Sequence, residues 1–162
     1  MMPLQRKERK KVLEEFFAAL DQAFLIYRQD LTKFENSRRP TDGLFGLGRM
    51  LQNDPCHDRF DESIEQAVQA MCASSPASMD AEKAIRMLFI WHQPQDWPLA
   101  AQWMLRAIER HALPLIPFLN SEAAAALQKE YAKHYKPWDR LPAQKEVYNA
   151  LKAQASHKQI AQ

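Results

Sequence analysis

The chain has 162 residues, 46% of them hydrophobic and 26% charged, and a net charge of +2. That length suits one domain able to bury a core without disulfide staples, and the composition excludes wholesale disorder. So small a total charge points to no particular partner, and no run nears the roughly 18 apolar residues that span a bilayer.

All three glycines fall between Gly43 and Gly48, and valine occurs only at Val12, Val68 and Val147. Sheets normally need turn glycines and β-branched strands, whereas Ala, Leu, Gln, Lys, Glu and Met favour helix. The expected fold is therefore an all-α, single-domain bundle of about six or seven helices without significant sheet. It occupies residues 1–155, ahead of a polar tail at 156–162. The opening MMPLQRKERKKV has no apolar stretch behind its charges and does not read as a signal peptide. With Cys56 and Cys72 as the only cysteines, a reducing cytoplasm and two free thiols are expected.

The first and longest helix is set by Leu13, Phe17, Leu20, Phe24, Tyr27, Leu31 and Phe34, spaced alternately four and three. Residues so spaced stack on one helical face, and Phe16 and Leu25 broaden the seam. Such a seam suits a globular core and could also serve as a dimer interface. The helix should stop near Asn36, before Ser37-Arg38-Arg39-Pro40. Leu44–Asn53 reads as a short helix despite Gly46 and Gly48, or as a hinge presenting Leu44, Phe45 and Leu47. Phe60, Ile64, Val68 and Met71 mark a helix over Asp58–Ala73. Ser78 reads as the N-cap of the next, whose Ile85, Met87, Leu88, Phe89, Ile90 and Trp91 make it apolar nearly all round and hence central.

Pro98 should open a further helix with a seam of Leu99, Trp103, Ala107 and Ile108. Leu113–Phe118, with two prolines, cannot be regular helix. Ser121 reads as the cap of a helix running to about Lys136, and Pro142 opens a last one with Val147, Tyr148 and Leu151 on one side.

Asp54, Cys56, His57, Asp58 and Asp61 are the densest set of potential ligands. Asp58, Asp61, Glu62 and Glu65 lie at helical spacing, and the acids are better read as favouring the start of a helix dipole than as a metal site. No metal or other cofactor is expected, and no catalytic set stands out. The five histidines are scattered and read as structural or surface residues.

The aromatic residues Phe16, Trp91, Trp97, Trp103 and Trp138 are candidate anchors for a protein partner, since Trp and other large rings dominate interface hot spots. The favoured function is accordingly a non-enzymatic helical interaction module, adaptor or regulatory, that binds a protein partner or itself. The alternative is a nucleic-acid-associated regulatory protein. It would use Arg6, Lys7, Arg9, Lys10 and Lys11 with Lys129, Lys133, Lys136 and Arg140 against phosphates, and Tyr131 and Tyr135 as stacking rings.

Overall fold

The computed structural model describes residues 6–37, 55–92, 97 and 101–157. Among these there are six α-helices and no strand: α1 (Arg6–Ser37), α2 (Pro55–Ala73), α3 (Ser78–Leu88), α4 (Gln102–Ala107), α5 (Ser121–His134) and α6 (Pro142–Ala155). The all-α architecture expected from composition and periodicity is the one observed. The stretch Leu44–Asn53, Pro98 with Leu99, and residues 158–162 lie outside the described residues.

At 32 residues, α1 is about 48 Å long. Its buried stripe is Leu13, Phe16, Leu20, Phe24, Tyr27 and Leu31, with Phe16 taking the interior place expected of Phe17, which is half-buried. A helix advances 100° per residue, so two adjacent phenylalanines cannot both point inward. α2 lies antiparallel on this stripe through Phe60, Ile64, Val68 and Met71, all buried. Rings fasten one end of the pair. Tyr27 stacks on Phe60 at 4.2 Å, Phe24 meets Phe60 edge-on at 5.3 Å, and the Tyr27 hydroxyl is 2.9 Å from His57 Nδ1.

α2 ends where Ser75 takes φ +50°, its N–H donating to the Cys72 carbonyl at 3.0 Å. α3 then crosses the middle of the molecule, touching α1, α5 and the 3₁₀ segment Ile108–Ala112. Ala81, Ala84, Ile85 and Leu88 are fully buried, as a central helix requires. Its regular part stops at Leu88. Phe89 is extended and Ile90–His92 form a 3₁₀ turn, so the apolar run continues past the helix that carries it.

Two expected caps are displaced by one residue. Ser78 is already helical, and its hydroxyl accepts the Asn120 N–H at 2.9 Å, tying the start of α3 to the start of α5. Asn120, not Ser121, caps α5, its Oδ1 accepting from the Ala123 N–H at 2.8 Å. α4 also faces inward differently from its expected seam. Met104, Leu105 and Ile108 are buried while Trp103 is 50% exposed, a rotation of about one residue. The prolines of Leu113–Phe118 confine that stretch to turns and a 3₁₀ turn at Ile116–Phe118. α5 and α6 close the fold as a second packed pair, burying Leu127, Tyr131, Val147 and Leu151.

Candidate functional site

Two features stand apart from ordinary packing. The first lies on the outer side of the α1–α2 pair. Val12, Phe16, Ala19, Ala23 and Ile26 are spaced four, three, four and three, a second apolar stripe on α1 that flanks the core stripe and shares Phe16 with it. With Ser63, Gln66, Ala67, Ala70 and Met71 of α2 they line a groove of about 520 Å³. Phe16, Ala23, Ala67 and Met71 form its buried floor, while Ala19 and Ala70 are exposed and leave the helix surfaces low. Ile26 is 39% exposed and the adjoining Leu25 50%, so apolar surface continues along α1.

Charge is polarised along the same pair. The first two turns of α1 carry Arg6, Lys7, Arg9, Lys10 and Lys11 around Glu8, with Glu14 and Glu15 following, while α2 begins with Asp58, Asp61, Glu62 and Glu65 around Arg59. Because the helices run antiparallel, these groups occupy opposite ends of the groove. Part of each set is used internally. Arg9 Nε lies 3.2 Å from Asp80, and Asp61 Oδ1 takes Arg110 at 2.7 Å and His111 Nε2 at 2.9 Å. Lys7, Lys11, Asp58 and Glu62 are exposed.

The second feature is a buried carboxylate. Glu109 is 0% exposed, and four donors from three segments converge on it. Oε1 accepts from the Tyr131 hydroxyl at 2.9 Å and from Gln144 Nε2 at 3.0 Å. Oε2 accepts from the Ile90 N–H and the Tyr135 hydroxyl, each at 3.1 Å. Gln144 is itself fully buried. Its Oε1 accepts from Arg106 Nε at 3.0 Å, Arg106 Nη2 at 2.6 Å and the Leu141 N–H at 3.2 Å. The amide is thus oriented as a relay, oxygen to the guanidinium and nitrogen to the carboxylate. Arg106 also donates to the Asp139 carbonyl and lies over the Tyr135 ring at 5.0 Å.

Burial pushes the Glu109 carboxyl up to about 7, against the pull of its Gln144, Ile90, Tyr131 and Tyr135 hydrogen bonds. Burial, then the adjoining carboxylate, push both tyrosine hydroxyls far up, which keeps them donors. The arrangement clamps segments that are far apart in sequence, and its chemistry is that of a structural brace able to hold one proton.

The residues singled out from sequence fall into three groups. Phe16 and Trp97 are buried and Trp91 is half-buried, stacked on His134 at 4.2 Å; the two tryptophans serve the interior, while Phe16 also lines the floor of the α1–α2 groove. Trp103 and Trp138 are 50% and 84% exposed. Tyr131 and Tyr135 are turned inward onto Glu109, so neither ring offers a face to a base. Lys129, Lys133 and Lys136 are exposed nearby, and Arg140 Nε donates to the Tyr135 carbonyl while its guanidinium covers Tyr148 at 3.9 Å. Cys56 and His57 are both buried in the first turn of α2, and Asp54 lies outside the described residues. Cys72, half-buried, donates to the Pro114 carbonyl at 3.6 Å, and burial raises its thiol pKa. Among the described residues no three His, Cys, Asp or Glu side chains are grouped to hold a metal ion, and no helix is long and apolar enough to cross a membrane.

Glu109 and Gln144 escaped the reading of the sequence, although the signal was present. Leu105, Glu109 and Ala112 lie at helical spacing, as do Gln144, Val147 and Leu151, so a charge and an amide interrupt otherwise apolar stripes. Comparison with protein-family models, with curated proteins and with solved structures gives no match for this chain.

Proposed function

We propose that this protein is a helical interaction module whose working surface is the α1–α2 groove, and that it binds a protein. The observation that carries the reading is the second stripe of α1. Val12, Phe16, Ala19, Ala23 and Ile26 repeat at the spacing with which one helix receives the side chains of another, yet the chain's own core leaves Ala19 and Ile26 open to solvent. Small residues at Ala19, Ala23, Ala67 and Ala70 let an incoming helix approach closely, and Phe16 and Met71 supply an apolar floor.

A photo-crosslinking amino acid placed at Gln22, on the groove, tests this against the same group at Lys152, exposed on α6. We expect a protein adduct from position 22 and none from position 152, and its loss when Ala19→Glu places a charge in the groove. No adduct at Gln22, or one indifferent to Ala19→Glu, would rule the surface out.

A further inference from the structure

The brace around Glu109 has two sides. The donors to Oε1, Tyr131 and Gln144, are both fully buried. The donors to Oε2, the Ile90 N–H and the Tyr135 hydroxyl, belong to residues that line a pocket of about 340 Å³ together with Trp91, Gln102 and His134. We propose that Glu109 and Tyr135 form a proton-operated switch: the carboxyl takes up its proton on Oε2, and the Tyr135 hydroxyl turns from donor to acceptor at the wall of that pocket.

The hydrogen-bond inventory leads there. An ionised carboxylate only accepts, and each oxygen of Glu109 receives two donors. A carboxylic acid must also donate, so one of the four has to give way. Two cannot. The Ile90 N–H has no acceptor to offer, and Gln144 is held nitrogen-first because its oxygen takes Arg106 Nε at 3.0 Å and the Leu141 N–H at 3.2 Å. A hydroxyl can do either, which leaves the two tyrosines. Tyr131 is fully buried against the rings of Phe89, Trp91 and Tyr135, where a hydroxyl hydrogen turned off the carboxylate and left unmet costs about 1–3 kcal/mol. Tyr135 borders the pocket, which offers the polar side chains of Gln102 and His134.

No bond of the tyrosine breaks in this step. The proton comes from acid in solution, an O–H forms on Oε2 and donates to the tyrosine oxygen, and the carboxyl loses its negative charge. The Ile90 N–H then donates to a neutral group, and bonds to ionised acceptors are roughly twice as strong as bonds to neutral ones. Ile90 opens the 3₁₀ turn that carries Trp91, so the edge of the pocket is held less firmly in acid. Because burial pushes the carboxyl up to about 7, the switch works near neutral pH.

The charged groups of the surrounding elements are paired or outside. On the same segment Arg106 holds Gln144, while Arg110 and His111 turn to Asp61 of α2. Arg86 of α3 pairs with Glu82 and with Glu130 of α5. Lys129 and Lys133 of α5 and Lys145 and Glu146 of α6 are exposed. His134, exposed and stacked on Trp91, and His111 are the nearby imidazoles, a class that changes charge near neutral pH, so the experiment separates them from Glu109.

The test is a titration of the full chain from about pH 5 to pH 9, followed by NMR at the glutamate Cδ and tyrosine Cζ carbons and the backbone amides. We expect Glu109 Cδ, Tyr135 Cζ and the Ile90 amide proton to share one midpoint at about 7, the amide proton moving upfield in acid. Tyr131 Cζ should move less than half as far as Tyr135 Cζ. Glu109→Gln should abolish the movement of Tyr135 and Ile90, and movement that persists belongs to a histidine and overturns the switch. Tyr135→Phe removes the reversible group on Oε2, so Tyr131 Cζ should take over the titration. A native chain in which Tyr131 leads, or in which Glu109 does not titrate in this range, overturns the proposal even where Tyr135→Phe fails to fold.

Discussion

Replacing Glu109 by Gln keeps the shape of the buried brace and removes its charge. In the folded chain the carboxyl titrates at about 7, against 4.5 when free, so between those values the native state holds a proton that the unfolded state has released. Folding is then favoured by acid. The contribution is fully present below the unfolded value and is lost as pH rises through the folded one. Over the window from about pH 5 to pH 8 a shift of this size removes about 2 to 3 kcal/mol of stability. For a chain of this length that corresponds to a fall of roughly 5–10 °C in Tm.

Other titrating groups are common to both proteins, so the informative quantity is the difference between them. Urea unfolding across pH 5–8 should show the native chain losing this increment relative to Glu109→Gln, with the two curves converging at the acid end. Gln144, Ile90, Tyr131 and Tyr135 all donate to the carboxylate, and if those four bonds outweighed desolvation the sign would reverse. Parallel pH profiles, or a native chain that gains on the variant as pH rises, would refute the reasoning.

Three further substitutions probe separate features. Ser75→Gly relieves a left-handed residue at φ +50° and should raise stability by about 0.5–1 kcal/mol, read as a higher midpoint in urea. Arg106→Ala strips two donors from the buried Gln144 oxygen and should cost about 1–3 kcal/mol in the same assay. Trp138→Ala, at a residue 84% exposed, should leave the unfolding midpoint within about 0.5 kcal/mol of the native value.

The helices were legible because their apolar periodicity is strong. Leu13, Leu20, Tyr27 and Leu31 all sit where the four-three spacing put them, as do Phe60, Ile64, Val68 and Met71. What periodicity could not resolve was rotation by one residue. Phe16 against Phe17, and Met104 against Trp103, are decided by which neighbour each meets across the core, and that contact is long-range. The caps slipped for a related reason. Ser78 is a good capping residue in isolation, but its hydroxyl is taken by Asn120, 42 positions away.

The brace around Glu109 was hidden differently. Glu109 stands in sequence among the charges Arg106 and Arg110 on the later turns of its helix, and only the fold turns it inward and draws donors to it from α5 and α6. Tyrosines 131 and 135 looked like stacking platforms beside lysines for the same reason, since their shared partner lies more than 20 residues earlier. The groove could be read only once α2 was docked. Val12, Ala19 and Ile26 look like ordinary flanking residues until the position of α2 shows how much of them stays uncovered.

The two large antiparallel contacts, α1 with α2 and α5 with α6, join helices that follow one another among the described residues, and α3 bridges the two pairs. Chain neighbours find each other at little entropic expense, so each pair can assemble early and on its own. The bridging helix and the Glu109 brace then have a different task, that of locking together two halves already formed. Damage to either should accordingly show in how fast the native protein comes apart more than in how fast it is made.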